Sequence, residues 1–262
     1  MTTRVPAAML VVFLALPVGF LVVQAFAGRA MTDAIASPAV RDALVLSLVT
    51  TTVSLVIIVA LGTPLALLLA RGRFPGRALV ETVVDLPIVL PPSVAGLALL
   101  LVFGSRGALG GALDVAGISI PFTTLAVVLA QVFVAAPFFV RAARAGLANV
   151  DRQLEDAARD LGAGDRQVAR WVTLPLAAPA LAAGLVLSWS RALGEFGATI
   201  MFAGNVPGRT QTLPLVVYAE FQSGDLEASI AAAAILILAA FGVLLAVRTL
   251  NWRRALDLRA GG

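Results

Sequence analysis

The chain has no cysteine, no histidine and no lysine. Without Cys there is no disulfide framework and no thiol chemistry. Without His the commonest metal ligand and general base is missing. All 19 basic residues are Arg, which excludes a Schiff-base lysine, a Ser-Lys dyad and the phosphate-gripping lysine of a P-loop. If ATP drives this protein, another chain must bind it. Charge of either sign is scarce too: 13% of the 262 residues are charged and 60% are hydrophobic, against roughly a quarter charged and under half apolar in a soluble domain.

The apolar residues are gathered into blocks. Val5–Val23, Leu44–Ala70, Leu86–Phe103, Phe122–Val140, Leu174–Leu193 and Ile230–Val247 hold almost no charge. Each is close to or above the length that crosses roughly 30 Å of hydrocarbon at about 1.5 Å per residue. Such blocks predict an all-α, polytopic membrane helix bundle of about six transmembrane helices, forming one domain over residues 1–262. Small residues recur within them, as at Ala231–Ala234 and from Ala178 to Gly184, and allow helices to approach closely.

Arg placement gives the orientation. Fourteen of the 19 fall on one set of helix ends: Arg4; Arg71, Arg73 and Arg77; the six from Arg141 to Arg170; and Arg248, Arg253, Arg254 and Arg259. Arg29, Arg41, Arg106 and Arg209 fall on the other set, and Arg191 lies within the fifth block. Cytoplasmic loops carry the excess, so both termini are expected in the cytoplasm. The net charge of +4 therefore implies no nucleic-acid partner. Ala25-Phe26-Ala27 resembles a signal-peptidase site, but the preceding run is much longer than a signal peptide's apolar core. The first block is read as a retained helix.

The third block is irregular. Pro87, Pro91 and Pro92 lack N–H groups, so no straight helix runs through Leu86–Ser93. Two readings stand: a break lining a pathway, as in transporters, or a kink at the start of the helix, where Pro costs little.

The longest loop on the basic side is Arg141–Trp171. Leu154, Ala157, Ala158 and Leu161 follow the i, i+3, i+4, i+7 spacing of a short amphipathic helix. Asp151 suits its N-cap and Gly162 the left-handed position that ends it. Asp165 is expected to cap a second short helix carrying Val168 and Trp171. By composition alone, with five acidic residues and four Arg from Asp151 to Trp171, this is a solvated hairpin. The spacing says more. Glu155 and Asp156-Ala157-Ala158, three residues, Gly162, nine residues, Val172, one residue, Leu174-Pro175 resembles the EAA loop of ABC importer permeases. Asp156 stands where that family usually has Glu, and Val172 where Ile is common.

The resemblance implies a type I ABC importer permease-like fold in a bacterial cell membrane, with a family-like core over about 40–250 and the coupling loop over about 150–172. It implies that the loop docks on a separate ATPase, and that closure of two such ATPases switches access across the membrane. ATP and Mg would sit on those partners, leaving this chain with no cofactor. One chain offers one loop and two ATPases need two, which implies a second copy of this chain. An extracytoplasmic oxyanion-binding protein completes the set.

Two further stretches resemble the molybdate/tungstate branch of these permeases, with the sulfate branch as near relative. One is Asp85–Gly96, including Pro91, Pro92 and Ser93. The other is Arg191-Ala192-Leu193-Gly194-Glu195-Phe196-Gly197-Ala198-Thr199, continuing through Ala203-Gly204-Asn205-Val206-Pro207-Gly208-Arg209-Thr210-Gln211. The Gly-Glu-Phe-Gly run is shared with sulfate permeases. A molybdate or tungstate importer is expected, with a sulfate/thiosulfate permease as the alternative.

Independently of the resemblance, Arg191 and Glu195 stand four apart and can pair. An ionisable pair inside a span marks function by default; the bland reading is a structural pair near the outer interface, since Arg191 lies some 25 Å along a helix from Leu174. With Pro91, Pro92, Ser93, Thr199 and Asn205 it makes up the candidate pathway, which should grip its cargo weakly. An intramembrane enzyme would need His, a Ser-Lys dyad or paired buried Asp; Asp85 and Asp114 sit at segment ends. An ion-gradient transporter would show more intramembrane carboxylates than Glu195.

Overall fold

Backbone N–H and C=O groups in an apolar stretch find no water in lipid, so they bond within helices. The computed structural model describes residues 4–27 and 29–260, and every regular element among them is helical. In chain order these are α1 (Arg4–Phe26), α2 (Ala30–Ala36), α3 (Pro38–Arg71), α4 (Arg77–Val89), α5 (Pro92–Phe103), α6 (Gly110–Val115) and α7 (Thr124–Ala148). Then follow α8 (Arg152–Asp160), α9 (Asp165–Val168), a π-helical turn (Ala169–Thr173), α10 (Leu174–Leu193), α11 (Gly197–Phe202), α12 (Leu213–Ser223) and α13 (Leu226–Ala260).

Five stretches are long and apolar enough to cross a bilayer as single helices: Arg4–Phe26, Pro38–Arg71, Thr124–Ala148, Asp165–Leu193 and Leu226–Leu245. The third expected block is not one helix. α4 and α5 meet at a bend of 118°, and only as a pair do they make a sixth span. Leu90 and Pro91 are extended, at ψ 133° and 135°, because a residue before proline is pushed out of the helical region. Pro87, by contrast, is carried inside α4. The helices also overrun the apolar blocks: α3 starts at Pro38 and α7 runs on to Ala148. Hydropathy marks only the lipid-length part, while helical hydrogen bonding continues into the interface.

The chain divides into two compact units, Leu48–Gly204 and a second made of 1–47 with 205–262. In the first, α7 is the central helix. Phe139, Val140, Ala143 and Leu147 pack with Ile58, Ala66 and Leu69 of α3 and with Ala177 and Ala192 of α10. Its other end packs Ala126, Val127 and Ala130 with Ala95 and Leu99 of α5 and with Ala198 and Phe202 of α11. Close approach needs small residues: a Cβ on Gly184 would lie 3.0 Å from Ala142 Cβ and 3.2 Å from Phe139 O. Several polar side chains in this core pair with one another or with backbone. Ser54 Oγ donates to Gln131 Oε1 at 3.0 Å, Gln131 Nε2 donates to Thr51 Oγ1 at 3.4 Å, and Ser188 Oγ donates to Ala135 O at 2.9 Å.

In the second unit, Ala34, Val40 and Ala43 pack with Leu213, Val216, Ala231 and Ala232. Ala25, the one buried residue of α1, joins Met31 and Ala234. The side chains of Arg248, Arg253, Arg254 and Arg259, part of the basic set, lie outside the described residues.

Candidate functional site

The loop after α7 folds as two short helices. Asp151 caps α8, its side chain accepting from Gln153 N at 2.9 Å. Gly162 ends it at φ +90°, a conformation an L side chain rarely adopts. The second cap differs from expectation. Asp165 is the first helical residue and Gly164 the cap; Gly164 N donates to the Gln167 side chain at 2.9 Å. A glutamine at the third helical position reaches back to the cap nitrogen, which frees Asp165 to face Arg159 at 3.3 Å. α9 is also no separate element. It runs through the π turn into α10, giving one helix from Asp165 to Leu193. The wider turn falls just ahead of Pro175, whose missing N–H interrupts the ordinary ladder.

The polarity of α8 is inverted. Its one buried residue is Glu155, while Leu154 is 50% and Leu161 90% exposed. Asp156 and Ala157 are exposed and Ala158 is half-buried. Trp171, in the π turn, is also 71% exposed, with the Arg170 guanidinium 5.4 Å from its ring centroid. A solvated hairpin would turn its leucines inward and its carboxylates outward. Here the leucines are on the open face and the carboxylate Glu155 is on the covered one. Leu174 is half-buried and Pro175 exposed on the helix that leaves this loop.

Glu155 is held from two sides. Arg71 Nη2, at the end of α3, donates to Glu155 Oε1 at 3.0 Å and to Val150 O at 2.9 Å. Thr173 Oγ1 donates to the same Oε1 at 2.7 Å. Nearby, Glu81 of α4 pairs with Arg77 at 2.8 Å and with Arg144 of α7 at 3.1 Å, and Asp85 lies 3.6 Å from Arg141. Arg71 and Thr173 were not anticipated. Their only sequence signal was position, since each borders an apolar block beside the loop.

Of the other candidate residues, Pro92, Ser93 and Thr199 lie on α5 and α11, which pack against each other. A Cβ on Gly197 would lie 2.7 Å from Pro92 Cβ and 3.2 Å from Ser93 N; one on Gly96 would lie 2.6 Å from Ala198 O. Pro91, Pro92 and Ser93 are exposed. Arg191 Nη1 pairs with Glu195 Oε2 at 2.6 Å, but not along one helix: α10 ends at Leu193. Glu195 sits in the turn beyond, and its Oε1 accepts from Ala198 N at 2.7 Å, capping α11. Its side chain is fully buried and that of Arg191 is 27% exposed. Thr199 is buried with no partner for its hydroxyl, and Asn205, half-buried, opens the following turn with an unpartnered Oδ1.

Residues 62–256 match the family model described as "Binding-protein-dependent transport system inner membrane component". The chain belongs to that family. It is an ABC importer permease. Relatives of this permease include the molybdenum transport system permease protein ModB of Mycobacterium tuberculosis, 42% identical over 92% of this chain and 91% of that protein. ModB of Escherichia coli is 43% identical over 76% of this chain and 87% of its own length. The fold matches a crystal structure of a bacterial alginate ABC transporter in complex with alginate pentasaccharide-bound periplasmic protein, with TM-score 0.76, 18% identity, and coverage of 96% of this chain and 93% of that one.

Proposed function

We propose that this permease carries molybdate or tungstate into a bacterial cell, as a homodimer driven by two ATPase subunits and fed by an extracytoplasmic binding protein. The observation that carries the cargo is the likeness to molybdenum permeases, which runs through nearly the whole chain and so through the α5–α11 junction as well as the loop. The Pro91–Ser93 break, Arg191 with Glu195, Thr199 and Asn205 are the pathway residues of this reading, and ATP with Mg belongs to the partners. The chain forms one functional permease domain. The test is ATP-driven uptake by the purified complex in proteoliposomes, with its own binding protein and labelled molybdate, tungstate or sulfate. Molybdate uptake that depends on ATP and on the binding protein supports the reading; sulfate uptake alone would replace it with the sulfate alternative.

The ATPase would dock on the outward face of α8 and its end, through Leu154, Asp156, Ala157 and Leu161, with Trp171 of the π turn. Leu161→Asp should cut co-purification of the ATPase about tenfold or more, the scale of an interface anchor. The bundle should still fold, because Leu161 is 90% exposed and no packing depends on it. ATPase recovery equal to wild type would move the docking face elsewhere.

Both termini and the loop face the cytoplasm in this reading. Cysteine labelling in the Cys-free chain checks it, and the structure chooses the probes. Asp165 is open, with a side chain 91% exposed. On the opposite side Gly111 has nothing within 4 Å of a new Cβ, whereas neighbouring Gly110 is pressed on the Gly104 carbonyl. Gly111→Cys should react with an impermeant thiol reagent in intact cells, and Asp165→Cys only after permeabilisation. The reverse pattern would invert the topology.

A further inference from the structure

Among the charged groups of the loop, exposure separates two kinds. Arg159 pairs with Asp156 at 2.8 Å and Asp165 at 3.3 Å, but these side chains are 45%, 68% and 91% exposed. Pairs so wet are screened and hold little. Arg71 and Glu155 have side chains only 19% and 8% exposed. Separating them would leave an unmatched charge away from water, so this pair moves as a unit.

α8 has nine residues, too few for a helix to hold its shape alone in water. Tertiary contact must fix its position, and the one residue it buries is a carboxylate. That carboxylate reaches two bundle helices at once. Arg71 is the last residue of α3, and Thr173 closes the π turn that leads into α10. Arg71 also grips Val150 O, in the link from α7 into α8. An apolar face in this place could slide over its neighbours. Charge-assisted hydrogen bonds fix direction and distance. Thr173 Oγ1 lies 3.5 Å from Val168 O and 2.7 Å from Glu155, so the carboxylate is the nearer acceptor.

Resting on the importer reading above, we infer that Glu155 is the pin that passes movement of α8 to α3 and α10, a positioning residue of the transport cycle and not part of the docking face. A partner that binds the outer leucines and displaces α8 pulls on Arg71 and Thr173 through one oxygen. The end of α3 and the start of α10 then move together, and the π turn, the one irregular turn between loop and span, is where α10 adjusts. Without the pin, α8 still docks but moves without the bundle.

The measurement is the number of oxyanions imported per ATP hydrolysed, by the reconstituted complex with its binding protein. Glu155→Gln keeps shape and size but removes the charge that holds Arg71. It should retain the ATPase and lower import per ATP about tenfold, within the usual range for coupling between sites. Thr173→Val removes one hydroxyl, leaves the ion pair intact and disturbs folding little. It should lower the ratio about two- to threefold, as expected for one link of several. The ratio is the readout that separates a pin from a prop: a merely structural role lowers import and hydrolysis in step. An unchanged ratio in both variants overturns the inference, as does a parallel fall of the two activities. If Glu155→Gln yields no complex, Thr173→Val decides alone: a lowered ratio supports the pin and an unchanged one overturns it. A wild-type chain that binds no ATPase would sink the importer reading itself and the pin with it, an outcome distinct from wild-type coupling with unaffected variants.

Discussion

Arg191→Leu should lower the folded yield and thermal stability of the permease more than Glu195→Leu, although both break one ion pair. The asymmetry comes from burial. The Glu195 side chain has no exposure, while 27% of Arg191 is exposed. Arg191→Leu strands a carboxylate with no water, a loss of about 3–5 kcal/mol. Glu195→Leu leaves a guanidinium on a long stem that already reaches the surface and can be solvated there. It also uncaps Ala198 N, whose bond to Oε1 is 2.7 Å, for about 1 kcal/mol. Glu195→Gln separates the two roles, since its carbonyl can still accept from Ala198 N. Arg191→Leu combined with Glu195→Gln should therefore be more stable than Arg191→Leu alone. Apparent melting temperatures at one scan rate, with the yield of monodisperse protein in detergent, measure the order. Membrane proteins often unfold irreversibly, so only differences within the series count. Additive losses across the cycle, or Glu195→Leu as the worst variant, would mean the two residues act apart.

That pair also shows where sequence reasoning reached and where it stopped. Four-residue spacing did bring Arg191 and Glu195 together, yet through a helix end: α10 stops at Leu193, and Glu195 serves the next helix as a cap. Spacing cannot tell a continuing helix from one that closes on Gly194. The spans were legible because lipid demands long uncharged runs, and the break at Pro91 because proline lacks a donor. Asp151 and Gly162 were legible because caps use few residue types. Asp165 misled because the helix begins one residue earlier: Gly164 O accepts from Gln167 N and Val168 N, and Gln167 Oε1 accepts from Gly164 N.

The direction of α8 was not legible. A face built to meet another protein has the same period as a face built for its own core, so Leu154 and Leu161 give a stripe without an inside. Only the placement of Glu155 against Arg71 and Thr173 settles which way the helix turns, and those partners lie far off in sequence for Arg71 and in an unsignalled π turn for Thr173. The polar seam of Ser54, Thr51 and Gln131 was missed as well. Its signal was available: Ser47, Thr51 and Ser54 recur at helical spacing inside an apolar block, where a polar residue has to find a partner.

Gly96→Val should abolish the folded permease, while Gly111→Ala should be neutral or slightly stabilising. Both add side chain to a helical glycine, and only the surroundings differ. At Gly96 the first added carbon would lie 2.6 Å from Ala198 O, 2.8 Å from Ala198 Cα and 2.8 Å from Met201 Cβ. Two of these are backbone and cannot swing aside, so α5 and α11 must separate. Overpacking of this kind costs about 1–3 kcal/mol for a modest misfit, and valine adds two further carbons in a helix already short of room. The separation would also disturb the reciprocal contact, where Gly197 of α11 meets Pro92 and Ser93 at the bend between α4 and α5. The break in the third span and the start of α11 thus share one tight joint, with Glu195 capping α11 on its other side. Gly96→Ala should be intermediate, giving folded protein with impaired uptake, because a shift of under about 1 Å at a site of preorganised groups is enough to cost rate. At Gly111 nothing lies within 4 Å of the new carbon, so the helix-propensity gain of alanine, up to about 1 kcal/mol, stands unopposed. Expression, melting temperature and uptake of the three variants in one complex make the test. Wild-type behaviour of Gly96→Val would mean that α5 and α11 do not meet as closely as the structure has them.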